Sequence, residues 1–314
     1  MNGAKIISFG HSVPEKTKSN QDIIDQGIDS TDEWITTRTG IKHRHIANDN
    51  ETTSDLAYKA AIHALEKTQI ASNQIDLIIV ATSTPDFNGF PSTAAIIQHR
   101  LGAPTTCAAF DLSAACSGFT YAISTASQFI FSGKSKTALV IGADCLSKKT
   151  NWSDRNTCIL FGDGAGAALL QHSEKNHIID SQLFTDGEHS SILKVNHFIE
   201  MEGRAVFKLA TTTVIRSIED FLLKHSLTSK DIQFFVLHQA NIRIIQLIQE
   251  KLGFTDSQTL INVDRFGNTS AASIPLALSE AYHAHLFKDN DLILTVGFGA
   301  GFTWGINLIK WRNS

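Results

Sequence analysis

Short apolar runs that suit buried strands alternate along this chain with stretches of helical periodicity, and the pattern occurs twice. Strand-like runs fall at Ile75–Ala81, Thr106–Leu112, Ala138–Gly142 and Ala165–Leu170, then at Phe234–Leu237, Leu292–Val296 and Gly305–Ile309. Helical patterns at Ser54–Lys67, Ser117–Phe131, Leu209–His225 and Ala240–Leu252 separate them. Such alternation predicts an α/β fold. The halves also echo each other: Gln74–Ala81 matches Asp231–His238 in pattern, and Val140–Asp144 matches Thr295–Gly299. In that register Cys116 falls close to Asn268, so two copies of one βα unit aim both residues at a shared seam, with His238 ending a neighbouring strand. No Pro-rich or Ser-rich linker intervenes, which predicts halves at 1–174 and 175–314, joined near His172–His177 and packed as one body.

Composition narrows the partners. A net charge of −4 with scattered Lys and Arg offers no broad basic face for nucleic acid. Met1–Phe9 carries a single Lys and too short an apolar run for a signal peptide. No later stretch approaches the roughly 20 apolar residues of a membrane span. A soluble, cytoplasmic protein with no membrane partner is therefore expected. Cys107, Cys116, Cys145 and Cys158 show no Cys-x-x-Cys pairing, so neither a zinc site nor a disulfide framework is expected.

Three separated stretches carry chemistry. Phe119, Ile123, Ala126 and Ile130 follow helical spacing, which puts Cys116 at the mouth of a helix, where unpaired backbone N–H groups and the dipole favour a thiolate. A free thiol titrates near about 8.5, and this placement is expected to lower that value. His238 follows the apolar run Phe234–Leu237 and precedes a helix, where α/β sheets put ligand-binding residues. A neutral imidazole and the amide of Asn268 can each donate a hydrogen bond to an enolate or tetrahedral oxyanion. The segment Phe298–Gly305 is rich in small residues, so an amide there, with that of Cys116, can form a second oxyanion hole. It is not a phosphate loop, because no Gly-Lys-Ser or Gly-Lys-Thr ends it.

Taken in order, these motifs resemble the β-ketoacyl-[acyl carrier protein] synthase III family of the thiolase superfamily. The resemblance runs from Phe9–Pro14 through Asp32–Ile41, Cys116, Phe161–Ala165, Val206–Lys208, His238–Asn241 and Gly267–Ala271 to the Gly-rich end. It implies a thiolase-like five-layer α-β-α-β-α duplication. It also implies an acyltransferase: acyl-CoA, acetyl-CoA first among the candidates, acylates Cys116, and malonyl-acyl carrier protein then enters. His238 and Asn268 stabilise the enolate formed by decarboxylation, and the amides of Cys116 and Ala300 hold the oxyanion of the condensation that begins fatty acid synthesis. Phe298 shields the carboxylate and favours loss of carbon dioxide. No cofactor and no metal is implied.

The resemblance extends to the periphery. Trp34 and Arg155 match the pair that sandwiches the CoA adenine, Arg38 the residue that meets its phosphates, and Asn241 a pantetheine contact. Lys208, Gln239, Ala240, Asn241, Ile242 and Arg243 match the surface that receives the acidic carrier protein. Phe90 matches the residue that crosses a homodimer to close the partner's acyl pocket. Arg204 stands where some members carry Asn, and Pro85–Phe90 is slightly extended. Thiolases use a second cysteine in the C-terminal glycine-rich loop, and Gly297–Gly305 has none. Elongating synthases use two histidines, whereas Asn268 holds the second position here. Two alternatives stay open on sequence: a related enzyme of secondary metabolism using an unusual acyl- or aroyl-CoA, and a non-catalytic synthase subunit.

Overall fold

The structure is a computed structural model that describes residues 3–312, so the outermost two residues of each expected half lie outside the described residues. Two sheets dominate. The first has five strands in the order Gly3–Ser12, Asp163–Ser173, Thr137–Cys145, Leu77–Ala81 and Ala108–Leu112. The second has four, in the order Ile178–Thr185, Thr303–Lys310, Leu292–Gly299 and Phe234–Leu237. In each, the two long strands beside the first pair antiparallel, and the next pairing is parallel. The match ends at the far edge. The fifth strand of the first sheet, Ala108–Leu112, is represented in the second only by a parallel bridge between Phe235 and Thr259.

Strand runs read as continuous apolar segments because both faces of each sheet are covered. Side chains alternate across the pleat, so Leu77, Ile79 and Ala81 enter the core between the sheets while Ile78 and Val80 pack outward. The outer face of the first sheet is covered by helices Thr53–Leu65 and Thr93–Leu101. On the second, Gly203–Lys224 and Ile242–Leu252 do the same. Helices Gly118–Phe131 and Ser273–His283 fill the space between the sheets through Phe119, Ile123, Ile274 and Leu278. The five layers expected from the resemblance are thus present.

Three of the four outer helices begin with a side-chain cap, which Gly203–Lys224 and both central helices lack. Thr52 caps Thr53–Leu65 in a capping box with Asp55, and Asn241 caps Ile242–Leu252 through its bond from the Ile244 N–H. Neither central helix has a side-chain cap. Each instead grows out of a short 3₁₀ turn, Ala115–Ser117 or Ser270–Ala272, whose first residue has positive φ: 46° at Ala115 and 52° at Ser270. These matched turns show that the structural counterpart of Cys116 is Ala271, with Asn268 three residues before it. Each turn is seated on the opposite sheet. A Cβ at Gly142 would lie 2.1 Å from the Ala271 carbonyl oxygen, and one at Gly297 would lie 3.0 Å from Ser117 Cα.

Three departures from the sequence reading have simple causes. The Gly3–Ser12 and Ile178–Thr185 strands were not expected, because polar residues interrupt both runs. The long outer helix begins at Gly203, not Leu209; its first residues include Gly203 and Arg204, and the apolar Val206 and Phe207 face a cavity, so they do not continue the stripe that faces the sheet. None of the described helices is long and apolar enough to cross a membrane.

Candidate active site

One cavity of about 190 Å³ opens where the two halves meet, and Cys116, His238, Asn268 and Phe298 all line it. Each reaches it from an element end. The left-handed conformation of Ala115 turns the chain sharply after strand Ala108–Leu112 and delivers Cys116 to the cavity as helix Gly118–Phe131 begins. The turn is tied to the glycine-rich loop by hydroxyls: Ser117 Oγ meets Thr303 Oγ1 at 2.7 Å, and Thr303 Oγ1 donates to Ala114 O at 3.1 Å.

His238 is the first residue beyond strand Phe234–Leu237, and its backbone N–H extends that pairing to Val296 O at 2.8 Å. Its Nδ1 lies 2.7 Å from Ser273 Oγ, and its ring stands edge-on to Phe298, with centroids 5.2 Å apart. Asn268 is held by its backbone, which bridges to Phe161, and by its side chain, whose Oδ1 accepts the Ser270 N–H at 2.9 Å. That bond assigns the amide orientation and turns Nδ2 toward the cavity.

Burial sets the charge states. The His238 imidazole is pushed down to about 3 by desolvation, so it is neutral at physiological pH. The Cys116 thiol is pushed up to about 12, chiefly by the same cause. This reverses the direction expected from the helix terminus. A rise of that size corresponds to about 4 kcal/mol, whereas a helix terminus typically returns ~0.3–1 kcal/mol. The resting pair is therefore a thiol beside a neutral imidazole.

The glycine-rich loop approaches the cysteine more closely than expected. A Cβ at Gly299 would sit 2.8 Å from Cys116 Cβ and 2.9 Å from its nitrogen. Gly299 lines the cavity; Ala300, the residue named from sequence, follows it in the chain and is not among the lining residues. Ser273 and Thr303 also escaped the sequence reading. Their only signal is a hydroxyl within a small-residue motif, which does not distinguish a core position from a site.

Peripheral residues divide. Arg38, Ala240 and Asn241 line the cavity mouth. Trp34 is half-buried under two guanidinium groups, Arg155 at 4.1 Å and Arg38 at 5.4 Å from its ring centroid. Lys208 and Arg243 are exposed nearby, with Arg243 5.8 Å from the Phe207 ring centroid. Ile242 is half-buried, packed beneath Gly40. Gln239 needs correction. It is fully buried, donates to Leu237 O and Leu260 O, and accepts the Asn262 N–H, so it presents nothing to a docking protein. Phe90 is 89% exposed and does not line this chain's own cavity.

A duplicated five-layer body with cysteine, histidine and asparagine around one central cavity is the architecture of the thiolase-fold condensing enzymes. Comparison with known proteins narrows this. The model for the 3-oxoacyl-[acyl-carrier-protein] synthase III family matches residues 110–187, and that for its C-terminal portion matches 222–311. Beta-ketoacyl-[acyl-carrier-protein] synthase III of Campylobacter fetus is 45% identical over 99% of both chains. Its counterpart in Caldanaerobacter subterraneus is 47% identical over 98% of each. Among solved structures, 3-oxoacyl-[acyl-carrier-protein] synthase III from Aquifex aeolicus superposes with a TM-score of 0.94 at 43% identity, covering 98% of this chain and all of that one. The priming β-ketosynthase of the R1128 polyketide pathway superposes at 0.93 with 33% identity, covering 99% of this chain and 97% of its own. The chain belongs to the 3-oxoacyl-[acyl-carrier-protein] synthase III family, and is an acyltransferase, a condensing enzyme that initiates fatty acid synthesis.

Proposed function

We propose that this enzyme transfers an acyl group from acyl-CoA, with acetyl-CoA the first candidate, to Cys116 and condenses it with malonyl-acyl carrier protein. The convergence of Cys116, His238 and Asn268 on one cavity carries the reading. In the first half-reaction the thiol sulfur attacks the thioester carbonyl, CoA leaves, and the thiol proton is returned to the CoA sulfur. In the second, malonyl carbon–carbon cleavage releases carbon dioxide and leaves an enolate whose oxygen accepts bonds from His238 and Asn268 Nδ2. The enolate carbon attacks the acyl-cysteine, the amides of Cys116 and Ala300 hold the oxyanion, and the sulfur departs and takes up a proton. Phe298, edge-on to the imidazole, keeps water from the malonyl carboxylate. None of these steps calls on a cofactor or metal.

Trp34, Arg38 and Arg155 form the CoA-binding stack, with Asn241 on the pantetheine arm. Exposed Lys208 and Arg243, with Ala240 and Ile242 between the cavity and the surface, receive the carrier protein. We assign the molecule to the cytoplasm as a homodimer of two-half chains divided at residue 174. The uncovered edge strand Ala108–Leu112 and the projecting Phe90 ring support the dimer, in which Phe90 closes the partner's acyl pocket. The relative from a polyketide pathway supports a second reading, priming with a different acyl-CoA.

Incubation with radiolabelled acetyl-CoA and peptide mapping tests the proposal. Label is expected on Cys116 and absent from Cys116→Ala. His238→Ala and Asn268→Ala are expected to take up label while losing malonyl decarboxylation about 100-fold or more. Decarboxylation at the wild-type rate in Asn268→Ala would remove that residue from the mechanism, and label from other acyl-CoA esters in preference to acetyl-CoA would favour the second reading.

A further inference from the structure

Ser273 opens the second central helix with its hydroxyl oxygen 2.7 Å from Nδ1 of His238. The same oxygen accepts the Gln239 backbone N–H at 3.3 Å. Gln239 itself cannot move, because its side chain is pinned to Leu237 O, Leu260 O and the Asn262 N–H. A backbone N–H can only donate. The Ser273 hydroxyl hydrogen therefore needs an acceptor, and among the described residues Nδ1 of His238 is the one it meets.

The opposite arrangement fails on hydrogen-bond accounting. If Nδ1 carried the ring proton, two donors would converge on Ser273 Oγ while its own hydrogen pointed at nothing in a site closed to water. Ser273 is 1% exposed and His238 2% exposed, so solvent does not relieve that conflict. With Nδ1 as acceptor, the single proton of a neutral imidazole sits on Nε2. That nitrogen has no partner among the described residues, and the ring lines the cavity.

We propose that Ser273 is a positioning residue that locks His238 as its Nε2–H tautomer, so that the imidazole meets the substrate thioester oxygen as a hydrogen-bond donor. The inference deepens the role given to His238 above and rests on it. A ring in the other tautomer would aim a lone pair at the developing enolate oxygen and repel it. Ser273 thus acts through His238, without touching substrate.

The two ring nitrogens report the tautomer directly. In long-range proton–nitrogen correlation spectra of ¹⁵N-histidine-labelled protein at pH 7, with His238 assigned by its loss in His238→Asn, Nε2 is expected to be the protonated nitrogen. Ser273→Thr, which keeps the hydroxyl, should retain that pattern. Ser273→Ala should show both tautomers, with kcat for malonyl-carrier protein decarboxylation down by about 10- to 100-fold and KM changed less than about twofold. Protonation of Nδ1 in the wild type overturns the proposal. So does a Ser273→Ala protein with wild-type tautomer and wild-type kcat. If Ser273→Ala does not fold, the wild-type and Ser273→Thr spectra decide the matter alone. Normal decarboxylation by His238→Ala would refute the catalytic role of the histidine while leaving the tautomer assignment to stand on its spectrum.

Discussion

At the scale of single residues, environment overrides the chemistry that local sequence suggests. Cys116 stands where a helix terminus attracts an anion, yet full burial holds its sulfur as a thiol and pushes it up to about 12. A thiol in that state is protected between turnovers, and in the proposed acylation its proton leaves only as the sulfur attacks the thioester carbonyl, passing to the departing CoA sulfur. Alkylation by iodoacetamide should accordingly be slow at pH 7 and rise about tenfold per pH unit through pH 9 without levelling, followed as loss of free Cys116 by mass spectrometry. A plateau below pH 8 would show that the thiolate exists at rest. His238 is the complementary case, neutral because a buried cation costs more than this site returns.

Among elements, the two central helices define the site. Their uncapped starts leave backbone groups and strained first residues at Ala115 and Ser270, and each turn is fixed by a glycine of the opposite sheet. A methyl group at Gly142 meets the Ala271 carbonyl at 2.1 Å, backbone that cannot swing aside. Gly142→Ala should therefore cost more than about 3 kcal/mol in urea unfolding. The outer helices Thr53–Leu65 and Ile242–Leu252, capped by Thr52 and Asn241, rely on local signals and should tolerate surface change. A Gly142→Ala protein within about 1 kcal/mol of wild type would mean that the second turn is not seated on the first sheet.

Across the whole molecule, buried histidines make stability depend on pH. His11 is pushed down to about 4 by burial first, then by His63, with Glu280 opposing and His283 and Arg265 adding to the shift. Its ring packs against His63 and bonds Ser279, joining the first strand to the outer helix of one half and the central helix of the other. The unfolded chain takes up this proton near 6.5 and the native state near 4, so the stabilisation is complete above 6.5 and is lost as pH falls toward 4. Asp163 works in the opposite sense. Burial raises it to about 6, so its cost is present above that value and is relieved as pH falls. Urea unfolding of wild type and His11→Gln should separate the two: the wild type should lose up to about 3 kcal/mol relative to the variant between pH 7 and 4. Parallel curves would assign the pH dependence elsewhere.

Much of the fold, and the meeting of Cys116, His238 and Asn268 at one cavity, were legible because they rest on short-range pattern. Apolar runs such as Leu77–Ala81 and Phe234–Leu237 declared buried strands, and the internal echo brought Cys116 and Asn268 to one seam. Gln239 was misread because neighbourhood in sequence does not reveal which way a side chain faces, and here it turned inward. The sequence by itself determined the alternation of strands and helices, its repetition in the second half and the residue types that meet at the cavity, since these depend on residue type and periodicity. Only the tertiary structure decided the charge of Cys116, the closeness of Gly299 and the pairing of Ser273 with His238. Desolvation and hydrogen-bond geometry arise from atoms distant in the chain, and they exist only once the two halves have closed on each other.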